Sequence, residues 1–138
     1  MSNRIIAFID GSCYPNPGGE SYAGVYIPEQ EKMKKIVFRT YLGNGKTSNN
    51  HAEYCAAIAA LLLLDEYRDS PITIYSDSKL LVNQMNGTWG VNNGGVYLKA
   101  YQVLKKRLEM FNDIRFSWIP RERNEMADAI CKGMLVRS

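Results

Sequence analysis

The sequence has no long hydrophobic run. Its longest unbroken apolar stretch, Ala56 to Leu64, is far short of the roughly 18 residues that a membrane-spanning helix needs. The start, Met1-Ser2-Asn3-Arg4, has neither the apolar stretch nor the small-residue cleavage site of a secretory signal. A cytoplasmic protein without membrane contact is therefore expected. Cysteine is scarce as well: Cys13, Cys55 and Cys131 are odd in number and widely spaced, which excludes a complete disulfide framework and offers no metal-ligand spacing. Free thiols in or near the core are the expectation. With His51 as the only histidine, no histidine cluster is available to hold a metal. There is no internal repeat, low-complexity tract or linker, so residues 1–138 read as one domain.

What is present is close to an average globular chain. Apolar residues make up 46% and charged residues 22%, with 17 Lys and Arg against 14 Asp and Glu, a balance that excludes disordered, collagen-like and coiled-coil classes. Arg4 to Ile9 is an apolar run suited to a buried strand that ends at Asp10-Gly11, before a loop from Ser12 to Gly19. Tyr22 to Ile27 and Ile36 to Leu42 are rich in β-branched and aromatic residues, and Pro28 through Lys35 reads as the hairpin connection between them. Asn49 to Tyr67 is dominated by Ala, Leu and Glu without Gly or Pro, which predicts a long, largely buried helix. Ile72 to Ser76 reads as a strand, Ser78 to Met85 and Val96 to Phe111 as helices, Ile114 to Ile119 as a strand, and Asn124 to Leu135 as a final helix. Three strands followed by alternating helix and strand give an α/β fold: a five-stranded mixed sheet, three antiparallel strands then two parallel, flanked by helices.

Four carboxylates stand in costly places on this framework. Asp10 and Asp77 each end an apolar strand, where open α/β sheets gather their ligands. Glu53 lies in the helical stripe Asn50, Glu53, Ala57, Ala60, Leu64, facing the side that packs on the sheet. Asp128 sits in a helix whose apolar face carries Ala127, Ile130, Cys131 and Met134. Each has an ordinary explanation: an Asp-Gly turn for Asp10, a helix cap for Asp77, solvated or paired acids for Glu53 and Asp128. Together they fit better as a cluster. Two like charges about 5 Å apart at an effective dielectric near 20 repel by roughly 3 kcal/mol, so converging acids need protons or a multivalent cation. All-oxygen ligation selects a hard ion such as Mg²⁺ or Mn²⁺, and a pair of such ions is the usual apparatus for in-line attack on a phosphodiester.

Four motifs now carry a resemblance: Asp10-Gly11-Ser12-Cys13 with Asn16-Pro17-Gly18; Ser48-Asn49-Asn50-His51-Ala52-Glu53; Tyr75-Ser76-Asp77-Ser78; and Trp118-Ile119-Pro120 leading to Asn124-Glu125-Met126-Ala127-Asp128-Ala129. In this order the chain resembles type 1 ribonuclease H over nearly its whole length. The resemblance implies a ribonuclease H-like fold and an endonuclease that hydrolyses the RNA strand of RNA/DNA hybrids by a two-metal mechanism. It makes Asp10, Glu53, Asp77 and Asp128 the catalytic, metal-binding quartet, with two Mg²⁺ ions per site and Mn²⁺ as the alternative ion. It also implies that Asn16, Asn49 and Asn50 read ribose hydroxyls of the RNA strand, while Ser48 holds a DNA phosphate and Trp89 a DNA sugar or base. Asn16 also suits a turn between two prolines and Asn49 a helix cap.

Three departures from the family pattern stand out. Lys79 replaces a frequent Gln two residues after the third acid, which turns a minor-groove contact toward phosphate. A short Gly/Asn loop between Gly87 and Val96 takes the place of a basic protrusion. The loop Arg121-Glu122-Arg123 lacks the usual His, so Arg121 or Arg123 becomes the candidate for electrostatic help in product release. His51 lies two residues before Glu53, about 160° away around the helix, and reads as a helix-start residue on another face. With the four acids set aside the chain is more strongly basic, as a phosphate-binding surface requires. The competing reading is a non-catalytic module of the same fold that grips hybrid or double-stranded RNA. Such a module would have no physical reason to keep four mutually repelling acids. No obligatory protein partner is evident, and a monomer is expected.

Overall fold

The computed structural model describes residues 4–14, 19–38, 48–90 and 98–133. Five strands, β1 (Ile5–Tyr14), β2 (Glu20–Ile27), β3 (Lys32–Phe38), β4 (Pro71–Ser76) and β5 (Asp113–Trp118), combine with four helices, α1 (Asn49–Leu63), α2 (Lys79–Met85), α3 (Leu98–Leu108) and α4 (Glu125–Cys131). The strands form one sheet in the order β3-β2-β1-β4-β5. The β1–β2 and β2–β3 pairs are antiparallel, and the β1–β4 and β4–β5 pairs are parallel. The expected mixed sheet is therefore the one observed.

Strand alternation sorts the two faces. On one, Ile5, Ala7 and Ile9 of β1 are buried with Ile72 and Ile74 of β4, beneath α1. Buried Ala52, Ala56, Ala57, Ala59 and Ala60 keep that helix thin enough to lie close to the sheet. Ser48 caps its start by accepting from the His51 backbone N–H, a contact worth about 1 kcal/mol. Asn49, read above as a possible cap, is the first helical residue instead. On the other face α4 covers β1 to β3, and Phe8 stacks on Tyr75 with ring centroids 5.2 Å apart.

Several boundaries differ from the sequence reading. Strand β1 does not stop at Asp10-Gly11 but runs to Tyr14, because antiparallel pairing with β2 continues through Tyr14↔Glu20. The Pro28–Lys35 connection is shorter than expected: Pro28–Gln30 form one 3₁₀ turn, Glu31 takes a left-handed conformation (φ 50°), and β3 begins at Lys32. The lysines that read as loop lie on an edge strand, where charge discourages pairing with another chain. Helix α1 ends at Leu63, before a separate 3₁₀ turn at Asp65–Tyr67. Helix α4 ends at Cys131 rather than Leu135, with Gly133 at φ 71° closing it. Asn16, the Gly/Asn loop 91–97 and residues 134–135 lie outside the described residues. The three cysteines are free and buried, and no helix among the described residues is long and apolar enough to cross a membrane.

Candidate active site

Sheet register brings the first two acids together. Parallel pairing of β1 with β4 ends at Ile9↔Ser76, so Asp10 and Asp77 are the next residues on two strands that have just parted. Asp77 is not a helix cap, because Ser78 fills that role by accepting from the Leu81 N–H at 3.1 Å. Nor is Asp10 a turn residue; it pairs with Gly24 inside the β1–β2 ladder and is buried.

Two glycines then admit two helices. A Cβ at Gly11 would lie 2.2 Å from the Ala52 carbonyl oxygen and 2.6 Å from the Glu53 nitrogen, so only glycine lets α1 touch β1 there. Glu53 consequently reaches the end of the strand pair, where its Oε1 accepts from the Gly11 N–H at 3.0 Å. On the opposite face a Cβ at Gly24 would lie 2.4 Å from the Ala127 oxygen and 2.6 Å from the Cys131 nitrogen. That close approach sets α4, and with it Asp128, over the Asp10 row.

Carboxylate oxygens of Asp10, Glu53 and Asp77 lie within 4.8 Å of one another. Asp128 stands beside this group: its side chain hydrogen-bonds Asp10, while its Oδ2 meets Lys132 Nζ at 3.3 Å. Burial, the hydrogen bond that the protonated Asp10 donates to Asp128 and the charge of Asp77 push the Asp10 carboxyl up to about 8. Burial and the charges of Asp10 and Asp77 likewise hold Glu53 well above the usual carboxylate range, against the opposing pull of the Gly11 N–H and Arg121. Such a site retains protons near neutrality until a cation replaces them. Three acid oxygens this close, with no nitrogen or sulfur ligand among them, fit a hard divalent ion.

Asn124 completes the geometry, and the sequence reading passed over it. Its Nδ2 donates to the Ile9 carbonyl at 2.8 Å and to Asp77 Oδ2 at 3.1 Å, bridging the gap where the β1–β4 ladder ends. The residue is buried and its Oδ1 has no partner among the described residues. An Asn just before a helix normally caps it, but this side chain makes no cap bond. Trp118 was also missed as a site residue. It is 42% exposed, donates from Nε1 to the Asp77 carbonyl at 3.2 Å, and lies beneath Lys79, whose Nζ is 5.1 Å from the ring centroid. A large aromatic exposed at the end of a strand was the available signal.

The remaining candidates divide. Asn49 Oδ1 accepts from the Cys13 N–H at 2.9 Å, tying the start of α1 to the outer end of β1. Asn50 is exposed and Ser48 half-buried at the helix start. Trp89 is 46% exposed rather than a core aromatic. Arg121 is near enough to Glu53 to act on its carboxyl, whereas Arg123 lines a small pocket with Phe8, Tyr26, Asn124 and Met126. His51 is fully buried on another face, with Nδ1 2.8 Å from Ser21 Oγ.

Comparison with known proteins agrees with this architecture. A family model described as RNase H matches residues 2–135. The chain is 31% identical over 132 residues to ribonuclease HI of Halobacterium salinarum, covering 96% of this chain and 64% of that protein. It is 32% identical over 145 residues to ribonuclease H of Wigglesworthia glossinidia brevipalpis, with 95% and 85% coverage. The bifunctional protein Rv2228c of Mycobacterium tuberculosis is 30% identical over 132 residues, and the chain spans 35% of its length. The solved structure of the N-terminal RNase H domain of that protein, as a fusion with maltose binding protein, superposes with a TM-score of 0.77 at 29% identity, covering 96% of this chain and 94% of the other. LC11-RNase H1, isolated from compost, superposes in its complex with an RNA/DNA hybrid at a TM-score of 0.73 and 31% identity, with 94% and 95% coverage. The chain belongs to the RNase H family.

Proposed function

We propose that the chain is a metal-dependent endoribonuclease that cuts the RNA strand of RNA/DNA hybrids. The observation that carries this reading is the convergence of the Asp10, Glu53 and Asp77 carboxylates at the end of the β1–β4 pairing. In this reading those three acids hold Mg²⁺, with Mn²⁺ as the alternative, and Asp128 joins them as the fourth acid of a two-ion site. Bound there, the ions would supply the Lewis acidity that activates water and stabilises the departing oxygen. Asn124 keeps Asp77 turned toward the site, and the Gly11 N–H fixes one oxygen of Glu53.

Specificity for RNA rests on Asn16, Asn49 and Asn50, whose amides both donate to and accept from 2′-hydroxyls. Ser48 and Trp89 serve the DNA strand, and Lys79, held above Trp118, meets a phosphate. Arg121, beside Glu53, attracts the phosphate that leaves after cleavage. Arg123 faces a different pocket and is the weaker candidate for that role. The enzyme works as a monomer in the cytoplasm, where three buried free thiols are stable.

The test is a gel assay with end-labelled RNA/DNA hybrid, double-stranded RNA and double-stranded DNA, each with Mg²⁺, Mn²⁺ or chelator. Cleavage of the hybrid's RNA strand alone, lost with chelator and when the scissile ribose and its neighbours become deoxyribose, is the expected result. Binding to hybrid without cleavage under any metal condition would establish the non-catalytic module instead.

A further inference from the structure

A cavity of about 440 Å³ adjoins the acids and has no part in the function proposed above. Its walls come from β1, β2, β3 and the end of α4. Ser12 follows Asp10 by two residues, so it shares that face of β1, and its cross-strand partner is Tyr22. Asp10, Gly24 and Lys35 form the neighbouring cross-strand row, so Lys35 stands on the same face as the acid, with its Nζ over the Tyr22 ring. From α4, Cys131 and Lys132 follow Asp128 by three and four residues and turn the same way. The cavity is thus a sideways continuation of the acid site.

The charged groups in its lining are Lys35 and Lys132. Two carboxylates stand behind the lining: Asp128 Oδ2 is 3.3 Å from Lys132 Nζ, and Glu20 Oε1 accepts from the Tyr22 hydroxyl at 3.1 Å. Burial pushes the Cys131 thiol up to about 11, so it adds no negative charge; its Sγ sits 3.3 Å from Ser12 Oγ. Aromatic surface lies beside the cations. Lys35 Nζ is 4.9 Å from the Tyr22 ring centroid, and Tyr14 at the rim is 75% exposed. Two ammonium groups, one of them over an aromatic face, in a volume within the range of small-ligand sites, suit a phosphate ester attached to a flat base.

We propose that this cavity binds one nucleotide of the strand being cut, with its phosphate between Lys35 and Lys132 and its base against Tyr14 and Tyr22. The assignment of that nucleotide to the cut strand rests on the nuclease reading; the pocket itself is tested without it. The full chain, metal-free at pH 7, is titrated with adenosine 5′-monophosphate, adenosine or inorganic phosphate and followed by amide NMR. The nucleotide should shift Ser12, Tyr22 and Cys131 saturably, with adenosine and phosphate each binding about tenfold more weakly. Lys35→Gln should weaken nucleotide binding about tenfold and raise KM for hybrid at constant kcat. The Lys35 side chain also reaches the end of α4, where a Cβ on Gly133 would come 3.1 Å from its Nζ. Tyr14→Ala therefore serves as a second variant, since an exposed ring can be removed without loss of stability; it should weaken binding about threefold. Absence of saturable shifts in the pocket, or unchanged nucleotide binding in both variants, overturns the proposal. Nucleotide binding there by a chain that leaves hybrid uncut would retain the pocket and refute the nuclease reading.

Discussion

Replacing Asp10 by Asn removes one charge from a site where three carboxylates lie within 4.8 Å. At that separation and an effective dielectric of about 20, each like-charged pair repels by about 3 kcal/mol. Folding raises the Asp10 carboxyl from 3.8 to about 8, so the folded protein binds that proton more tightly than the unfolded chain. The linked stability is complete below pH 4 and is lost as pH rises through 8. Asn carries no such proton, so the variant escapes the loss. At pH 9 without metal, Asp10→Asn relieves two such pairs, about 6 kcal/mol, and should melt roughly 20 °C above wild type at about 3 °C per kcal/mol for a chain of this size. At about pH 2.5, below both pKa values, Asp10 is protonated in the folded and the unfolded state, and the two should melt together. Saturating Mg²⁺ should reverse the order at pH 9, because wild type gains binding free energy that the variant has lost. Calorimetric melts at both pH values, with Mg²⁺ and with chelator, read all of this. A melting difference that does not change with pH would refute the argument from charge crowding.

Three further outcomes follow from individual contacts. Asn124→Ala should lower stability by about 2–3 kcal/mol in urea unfolding, because it leaves the buried Ile9 carbonyl unpaired, and should weaken Mg²⁺ binding in calorimetric titration by releasing Asp77. Gly24→Ala should cost about 1–3 kcal/mol and reduce hybrid cleavage, since its methyl group must displace α4 and Asp128; wild-type activity in a stable Gly24→Ala protein would contradict that role for the close approach. His51, the only histidine, is held below 6.5 by burial, so its ring proton resonances should stay unprotonated in NMR spectra at pH 6.5. The stability it contributes is present above 6.5 and is lost as pH falls through its folded-state pKa.

The acids were legible in the sequence because each broke a local pattern: Asp10 and Asp77 closed apolar strands, and Glu53 interrupted a stripe of small apolar residues. What brings them together was not legible. Nothing local distinguishes Gly24 from any glycine in a strand, yet the row Asp10–Gly24 and the missing side chain decide where α4 lies. Asn124 looked like a helix-start residue, and its real partners, Ile9 and Asp77, are remote in the chain. The strand boundaries shifted for a related reason. Asp10-Gly11 is a turn signal on local chemistry, and only pairing with β2 carries the strand on to Tyr14. The cavity beyond Ser12 draws on three strands and a helix, which no periodicity within one segment reveals.

The most direct test of the central claim is the single-turnover rate of hybrid cleavage as a function of Mg²⁺ concentration, measured for wild type and Asp77→Asn. The variant keeps the shape of the side chain and changes its charge. If the acid cluster is the hydrolytic metal site, wild type should show a saturable Mg²⁺ dependence abolished by chelator. Asp77→Asn should lose orders of magnitude in rate while still folding and still binding hybrid. Cleavage by Asp77→Asn at the wild-type rate, or wild-type cleavage that persists in chelator, would contradict the account.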